Sequence, residues 1–218
     1  MGEASNGEFL ITKAPQKKFQ VHRTDGGVAN KSFVINSDIT PIRMPGTERE
    51  MRFAHQRNAS DCGPCLVLNT LEALDVQHNF PSVLEVRQTA NVLRMNQQRQ
   101  VLRDGGWFHT SDVASTLESK GAIVEPFSIR SKPQEKEFSN LLEQKFFGKD
   151  PFVVYSGTGR HFKGIYFDGR NYYLLDSTQE SIQRASRDDV GVLVNSAKAS
   201  DRAETVGIVS KKRFVIEG

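Results

Sequence analysis

The sequence fixes the start of one helix to within a few residues. The polar segment Gln56–Cys65 contains Gly and Pro, and the apolar segment Leu66–Leu74 follows it directly, with its apolar residues at helical spacing. Pro64 is tolerated in the first turn of a helix, because the N–H group that proline lacks would have no intrahelical partner there. The pattern predicts a helix that begins close to Cys62.

Cys62 is a candidate nucleophile because of this position. Unpaired backbone N–H groups and the positive end of the helix dipole stabilise a thiolate, which is the form of cysteine that attacks electrophiles. Ser60 or Asp61 is expected to cap the helix by accepting a hydrogen bond from an exposed N–H group. A nucleophile of this kind needs a base, and the base needs a partner that orients it.

The remaining elements are predicted as helices first and strands afterwards. A helix is expected at about 82–94, a third after a cap at Ser111 that ends at Gly121, and a fourth at about 133–147. Strands are expected at 122–129, 152–155, 161–167 and 172–176. Helices followed by an antiparallel sheet indicate the α+β class.

The domain organisation is predicted as an N-terminal extension, residues 1–48, and one catalytic domain, residues 49–218. The extension holds short apolar pieces that are interrupted by Gly and Pro, namely Phe9–Ile11, Phe19–Val21 and Ser32–Ile35. Residues 49–61 are polar and charged and predict no buried strand before the helix. The chain is long enough to bury a substantial core.

Composition argues against several classes of protein. The net charge of +3 arises from 29 basic and 26 acidic residues spread along the chain, so no basic surface for nucleic acid is indicated. No segment has the ~20 apolar residues of a membrane span. The N-terminus has no secretory pattern, so a cytoplasmic protein is expected, or one exported without a recognisable signal. Two cysteines three residues apart indicate local chemistry rather than a disulfide framework, and no metal or cofactor is required.

His161 is the predicted base, and Asp176 is its predicted orienting partner. Two strand-like segments flank Asp168-Gly169, which is a hairpin signal. A two-residue turn at that position makes His161 and Asp176 directly opposed neighbours on one face of the hairpin. A turn centred on Gly169-Arg170 shifts the register by two residues and leaves the pair diagonal on the same face, whereas an odd-length loop would separate them.

Gln56 is the predicted oxyanion donor. It precedes Cys62 by six residues, and its side-chain amide is expected to donate, together with the backbone N–H of Cys62, to the oxyanion of a tetrahedral intermediate. The other histidines have weaker claims. His55 is expected to be a surface or packing residue, and His109 a cap or a solvated residue before the third helix.

The order Gln56, Cys62-Gly63, His161-Phe162 and Leu175-Asp176-Ser177 resembles papain-like cysteine peptidases, and most closely the double-glycine peptidases that process bacteriocin leaders. The segment from Asp104 to Gly121, together with the spacing of base and orienter, is also similar to the Josephin deubiquitinases, although that family has Asn where this chain has Asp176. The likeness covers about residues 50–180. It implies a papain-like fold whose helical half carries the thiol and whose sheet carries the base and its partner.

The resemblance implies a cysteine peptidase that acts on a polypeptide, through an acyl-enzyme at Cys62, with no cofactor. The substrate is expected to be a leader peptide or a ubiquitin-like tail cut after glycine. The same residues would also support glutamine deamidation or transglutamination. A third hypothesis is thiol–disulfide exchange, because Cys62-Gly-Pro-Cys65 is also the dithiol motif of thioredoxins. Its weakness is that no buried strand is predicted before the motif.

Overall fold

A computed structural model describes residues 39–103, 106–128, 132–158, 161–198 and 205–211. Most of the predicted N-terminal extension, including its three apolar pieces and His22, lies outside the described residues. Five α-helices and eight β-strands are present in the described part of the chain. In chain order these are β1 (Ile39–Arg43), β2 (Glu50–Ala54), α1 (Cys62–Ala73), α2 (Val83–Asn96), α3 (Thr110–Glu118), β3 (Ala122–Ser128), α4 (Lys132–Gly148), β4 (Phe152–Thr158), β5 (His161–Phe167), β6 (Tyr172–Leu175), β7 (Gln183–Ala185), α5 (Arg187–Lys198) and β8 (Thr205–Lys211).

Helix α1 begins at Cys62, as predicted, and a single 3-10 turn, Ala59–Asp61, leads into it. Every residue of α1 except Glu72 is buried. A helix that is buried on all sides lies at the centre of a domain rather than on its surface. It contacts β2, α2, α3 and the strand β5, so Cys62 lies on a helix that other elements surround.

The predicted caps of two helices are wrong. No side chain at residue 60 or 61 caps α1; the Asp61 carboxylate accepts instead from the backbone N–H of Asn58 at 3.2 Å and from Arg87. Helix α3 is preceded by His109, not Ser111, and the His109 N–H donates to the Asp112 carboxylate at 2.7 Å. In both cases a backbone N–H donates to the carboxylate of the residue three positions later in the chain. This bond is one of the two that form a capping box.

The prediction that no buried strand precedes α1 is wrong. Strand β2 occupies residues 50–54, and the side chains of Met51, Phe53 and Ala54 are buried. The first residues of the strand are alternately exposed and buried. The polar residues at the exposed positions make the segment look like a polar loop in the sequence. Among the strands that the structure describes, it pairs only with β1, in a separate two-stranded sheet. The predicted domain boundary at residue 49 falls between these two strands and stays a prediction.

The second sheet is antiparallel throughout, with six strands in the order β3-β8-β4-β5-β6-β7. The described chain is therefore α+β, as predicted. None of the predicted elements corresponds to β7, α5 or β8, and yet β8 lies between β3 and β4. Its pairing with β3 joins residues far apart in the chain, from Ser128 opposite Thr205 to Ala122 opposite Lys211, and such long-range pairing leaves little trace in local sequence.

Helices cover both faces of this sheet. Strand β4 alternates between two hydrophobic clusters, because successive side chains of a strand point to opposite faces. Val153 and Tyr155 belong to the cluster that includes α1, whereas Phe152 and Val154 belong to the cluster formed with α4 and α5. Among the described residues, no helix is long and apolar enough to cross a bilayer.

Candidate active site

The structure brings His161 and Asp176 into contact. His161 is the first residue of β5, and Asp176 directly follows the last residue of β6. The His161 Nε2 atom lies 2.9 Å from Oδ1 of Asp176. The topology of a single hairpin is therefore sufficient to join the imidazole to a carboxylate fifteen residues further along the chain.

The register of this hairpin is the second of the two predicted ones. Phe167 pairs with Tyr172, so the turn contains four residues rather than two. The Asp168 carboxylate accepts from the backbone N–H groups of Arg170 and Asn171 at 2.8 and 2.7 Å, and Gly169 has a φ of +98°. Asp is common at the first position of such turns because its side chain can bond the backbone ahead of it. Because the loop has an even number of residues, His161 and Asp176 lie on the same face of the hairpin.

Asp176 is held by more than the imidazole. Its Oδ1 atom also accepts from the backbone N–H of Thr178 at 3.0 Å and from the Thr178 hydroxyl at 2.7 Å. Burial acts to raise the pKa of Asp176, but the hydrogen bonds from His161 and Thr178 outweigh it and hold the pKa well below the usual range of a carboxyl. Asp176 is therefore ionised at neutral pH and oriented toward the ring.

His161 also has a hydrogen-bond contact with the Cys62 side chain. The hydrogen bonds with Asp176 and then with Cys62 raise the pKa of His161 from 6.5 to about 9, although burial acts to lower it. Because Nε2 is occupied by Asp176, Nδ1 is the ring nitrogen left for the sulfur. The ring therefore contacts both the carboxylate that orients it and the thiol whose proton it is positioned to accept.

The sulfur itself is enclosed. Cys62 is 1% exposed, and its Sγ lies 3.6 Å from the carbonyl oxygen of Ala59 in the 3-10 turn. The next residue must be glycine for a steric reason: a Cβ at Gly63 would lie 2.6 Å from the Cβ of Phe108. The Cys-Gly pair is thus explained by the close approach of the chain at Phe108.

Arg87 is a residue of this site that the motifs do not predict. From α2, its Nη2 atom lies 2.9 Å from the Asp61 carboxylate and also donates to the carbonyl oxygen of Ser60, two residues before Cys62. Its Nη1 atom donates to the carbonyl oxygen of Gly106 at 2.8 Å, and its guanidinium carbon lies 5.7 Å from the centre of the Phe108 ring. Arg87 therefore connects the 3-10 turn that precedes Cys62 to the loop that contains Gly106. The apolar pattern of α2 gave no signal for it.

Gln56 is tied to the residue that follows Asp176. Its backbone N–H donates to the carbonyl oxygen of Ser177 at 2.9 Å, and its Oε1 atom accepts from the Ser177 hydroxyl at 3.0 Å. This leaves Nε2 as the donor end of the amide. Ser177 also hydrogen-bonds the Cys65 side chain. Gln56 is thus oriented by the β6 end of the site, and its role toward an oxyanion stays a prediction.

Cys65 lies one turn further along α1 and is completely buried. Burial strongly raises the pKa of its thiol. Cys62 and Cys65 are both free thiols in this structure.

Among the other histidines that the structure describes, His55 and His78 have partners away from this site. His55 places its two ring nitrogens 2.9 Å from the Thr40 hydroxyl and 3.1 Å from the Gln179 carbonyl oxygen. His78 places Nε2 3.1 Å from the Glu72 carboxylate. His109 is exposed at the start of α3 and borders the cavity described next.

A cavity of about 680 Å³ lies beside His161. Its walls come from residues 100–103 and 106–110 and from the facing ends of β4 and β5, with Gly157, His161 and Phe162 among them. This volume is within the range of about 300–1,000 Å³ that is usual for ligand-binding pockets. The candidate base thus stands at the edge of a space large enough for part of a polypeptide.

Comparison with known proteins gives matches only among solved structures: no protein-family model matches the chain, and no curated protein sequence does. The structure is similar to that of a double-glycine-motif protease from an AMS/PCAT transporter in complex with its leader peptide, with a TM-score of 0.40 and 16% identity, covering 78% of this chain and 98% of that one.

Two further solved structures are similar to this one. One is the peptidase domain of Streptococcus ComA, a bi-functional ABC transporter, with a TM-score of 0.40 and 13% identity, covering 72% of this chain and 96% of that one. The other is the ubiquitin-specific protease encoded by murine cytomegalovirus tegument protein M48, in complex with a ubiquitin-based suicide substrate, with a TM-score of 0.41 and 12% identity, covering 73% of this chain and 82% of that one. These three structures are thus proteases or peptidase domains.

Proposed function

We propose that the protein is a cysteine peptidase that hydrolyses a peptide or isopeptide bond through an acyl-enzyme at Cys62. The observation that carries the proposal is the continuous contact from the Cys62 thiol to His161 and from His161 to Asp176. A thiol at a helix N-terminus, an imidazole and an orienting carboxylate are the parts that nucleophilic catalysis by cysteine requires.

Each residue has a defined role in this mechanism. His161 takes the thiol proton at Nδ1, while Asp176 holds the opposite nitrogen and stabilises the imidazolium. The thiolate attacks the carbonyl carbon, and the oxyanion accepts hydrogen bonds from the Gln56 amide and the Cys62 N–H. As the C–N bond breaks, the imidazolium gives its proton to the leaving amine. Water, deprotonated by His161, then hydrolyses the thioester and releases the free thiol.

The proposed substrate is a polypeptide, either a leader peptide or a ubiquitin-like tail. The basis is the resemblance of the motifs around Cys62 and His161 to peptidases that cut after glycine, together with the cavity that opens beside the base. The proposed catalytic domain comprises residues 49–218. No cofactor takes part in the mechanism.

Two alternative reactions use the same thiol. Deamidation or transglutamination would begin with the same attack on a glutamine side chain, and a product analysis separates them from peptide cleavage. Disulfide exchange would need Cys65 as the second sulfur. Cys65 is enclosed and hydrogen-bonded to Ser177, and the strand before the motif belongs to a separate small sheet, so neither observation favours exchange.

The experiment compares wild type with Cys62→Ala and Cys65→Ala variants. Each is treated with a ubiquitin C-terminal electrophile and, separately, with iodoacetamide and with a mixture of unmodified peptides whose products are identified by mass spectrometry. Cleavage and labelling that are lost in Cys62→Ala and kept in Cys65→Ala are expected. Activity that requires both sulfurs would contradict the peptidase assignment, and ammonia release without backbone cleavage would replace it with deamidation.

A further inference from the structure

Helix α1 carries two thiols, and the proposed mechanism uses one of them. Cys62 begins the helix and Cys65 follows three residues later, a spacing that places two side chains on the same side of a helix. The sequence contains 2 cysteines in all, and neither of them is in a disulfide. A disulfide within one molecule of this protein can therefore join only Cys62 and Cys65.

Contacts with the sheet place both sulfurs at the same end of β6. The Cys62 side chain hydrogen-bonds His161, whose Nε2 atom lies 2.9 Å from Asp176. The Cys65 side chain hydrogen-bonds Ser177, which directly follows Asp176 in the chain. The two thiols thus contact one continuous group of side chains, so they point to the same side of α1.

A small local change is sufficient to join the two sulfurs. Cβ atoms three residues apart on a helix are about 5–6 Å apart, whereas a disulfide requires about 3.5–4.5 Å. The first turn of a helix can supply this change, because its N–H groups have no acceptor within the helix. Pro64, between the two cysteines, has no N–H group. Closing the disulfide therefore requires no break in the hydrogen bonds of the buried part of α1.

The surroundings of the two thiols differ. Cys62 contacts an imidazole that can take its proton, and the thiolate is the form of cysteine that peroxides oxidise. Cys65 is completely buried, and burial strongly raises the pKa of its thiol, so it stays protonated. The proposed mechanism requires that a substrate carbonyl reaches Cys62, and hydrogen peroxide is smaller than any such substrate. Oxidation is therefore expected to begin at Cys62.

We infer that Cys62 and Cys65 form a reversible oxidation site, at which hydrogen peroxide oxidises Cys62 and Cys65 then closes a disulfide with it. The disulfide occupies the nucleophile of the peptidase and protects it from irreversible oxidation. Its effect on activity rests on the proposed function, whereas the chemistry of the two sulfurs does not. The pair acts on no substrate disulfide, in contrast to the dithiol of a thiol–disulfide oxidoreductase.

Two steps account for the atoms and electrons. In the first, the Cys62 thiolate attacks one oxygen of hydrogen peroxide, the O–O bond breaks, and the departing hydroxide takes a proton from His161 to become water. In the second, the Cys65 sulfur attacks the sulfur of the Cys62 sulfenic acid, the S–O bond breaks, and hydroxide leaves with the Cys65 proton as water. Proximity favours this second step although Cys65 is protonated. The two thiols lose two electrons and the peroxide gains them, and a dithiol such as dithiothreitol reverses the change.

The test uses full-length wild type and the Cys65→Ala, Cys65→Ser and Cys62→Ala variants, each reduced and then exposed to the same excess of hydrogen peroxide. N-ethylmaleimide in denaturant labels the thiols that remain. Mass spectrometry then measures the intact protein and the tryptic fragment of residues 58–87, which contains both cysteines. Peptide cleavage is measured before peroxide, after it, and after dithiothreitol. Circular dichroism establishes that each variant is folded, and Cys65→Ser keeps a small polar group against Ser177 if alanine is not tolerated.

Wild type is expected to lose both maleimide-reactive thiols and the mass of two hydrogen atoms, and to regain cleavage to within about twofold after dithiothreitol. The two Cys65 variants are expected to cleave peptides as wild type does before oxidation. After peroxide they should carry two or three additional oxygen atoms at Cys62, and dithiothreitol should restore at least about tenfold less activity than in wild type. Cys62→Ala should keep the thiol of Cys65, because peroxide reaches it only through Cys62.

The inference is overturned if wild type keeps both thiols, if it gains oxygen atoms as the Cys65 variants do, or if its disulfides join separate molecules. Equal recovery of cleavage in wild type and in the Cys65 variants would also overturn it. The mass measurement is independent of the proposed function. A reversible disulfide in a protein that cleaves no peptide would keep the oxidation site and remove the peptidase, and cleavage without the disulfide would do the reverse.

Discussion

Two regions of the protein are built from different kinds of contact. The end of the large sheet where β5 begins and β6 ends is held by hydrogen bonds among Gln56, His161, Asp176 and Ser177. The face covered by α4 and α5 is held by aromatic and aliphatic packing, as in the edge-to-face pair of Phe127 and Phe138, whose ring centres lie 5.3 Å apart. Polar contacts therefore set the chemistry at one end of the sheet, and apolar burial away from the site supplies stability.

The largest expected effect is that of Asp176→Ala. Without the carboxylate the ring is neither oriented nor stabilised as imidazolium, so kcat/KM for peptide hydrolysis should fall about 10³- to 10⁴-fold. Because the hydrogen bond with Asp176 contributes most to the raised pKa of His161, the alkaline limb of the kcat/KM profile should move from about 9 toward 6.5.

Asp176→Asn sharpens this prediction. Asparagine can still accept a hydrogen bond from the ring but carries no charge, so activity should recover in part while the alkaline limb stays shifted. The measurement is the pH dependence of kcat/KM for the three proteins. An alkaline limb that stays near 9 in both variants would show that Asp176 does not interact with the imidazole during the reaction.

Phe138→Ala tests the other region. The side chain is 2% exposed, and removing a buried aromatic ring costs about 3–5 kcal/mol of unfolding free energy. Urea unfolding should show that loss, whereas kcat/KM, measured where the variant is still folded, should match wild type. A large loss of kcat/KM in the folded variant would mean that the two regions are not separate.

Gln56→Ala should raise the barrier by about 2.7–4 kcal/mol, the usual cost of one oxyanion donor, with a fall in kcat and little change in KM. Ser177→Ala is its control, because it keeps the Gln56 amide and removes the hydroxyl that donates to its Oε1 atom and also contacts Cys65. A smaller fall in kcat is expected there. If the two variants lose equally little activity, the oxyanion is stabilised by other groups.

Arg87→Met should give the smallest effect, a loss of about tenfold in kcat/KM, because it acts on the position of the nucleophile's turn rather than on the reacting atoms. Methionine keeps the apolar stem and removes the bonds to Ser60, Asp61 and Gly106. Arg170→Met, in an exposed turn, is the matched control. An unchanged rate of iodoacetamide reaction with Cys62 in Arg87→Met would contradict a positioning role.

The helix start at Cys62 and the pairing of His161 with Asp176 could be predicted because each depends on local sequence. Both predicted turns have an even number of residues, so each of them keeps His161 and Asp176 on one face of the hairpin. Strand β8 and Arg87 could not be predicted in this way. Strand β8 pairs with strands that are far away in the sequence. Arg87 lies on α2 and bonds residues that precede α1, and no rule of sequence spacing predicts such a contact.

The central claim is that Cys62 becomes acylated while Cys65 remains a spectator. The direct measurement is mass spectrometry of the Cys65→Ala variant after acid quenching of a reaction with a cleavable peptide. An adduct of the N-terminal product is expected on the tryptic fragment that contains Cys62, and it should be absent from the Cys62→Ala variant. An adduct that persists without Cys62, or peptide cleavage that requires Cys65, would contradict the account.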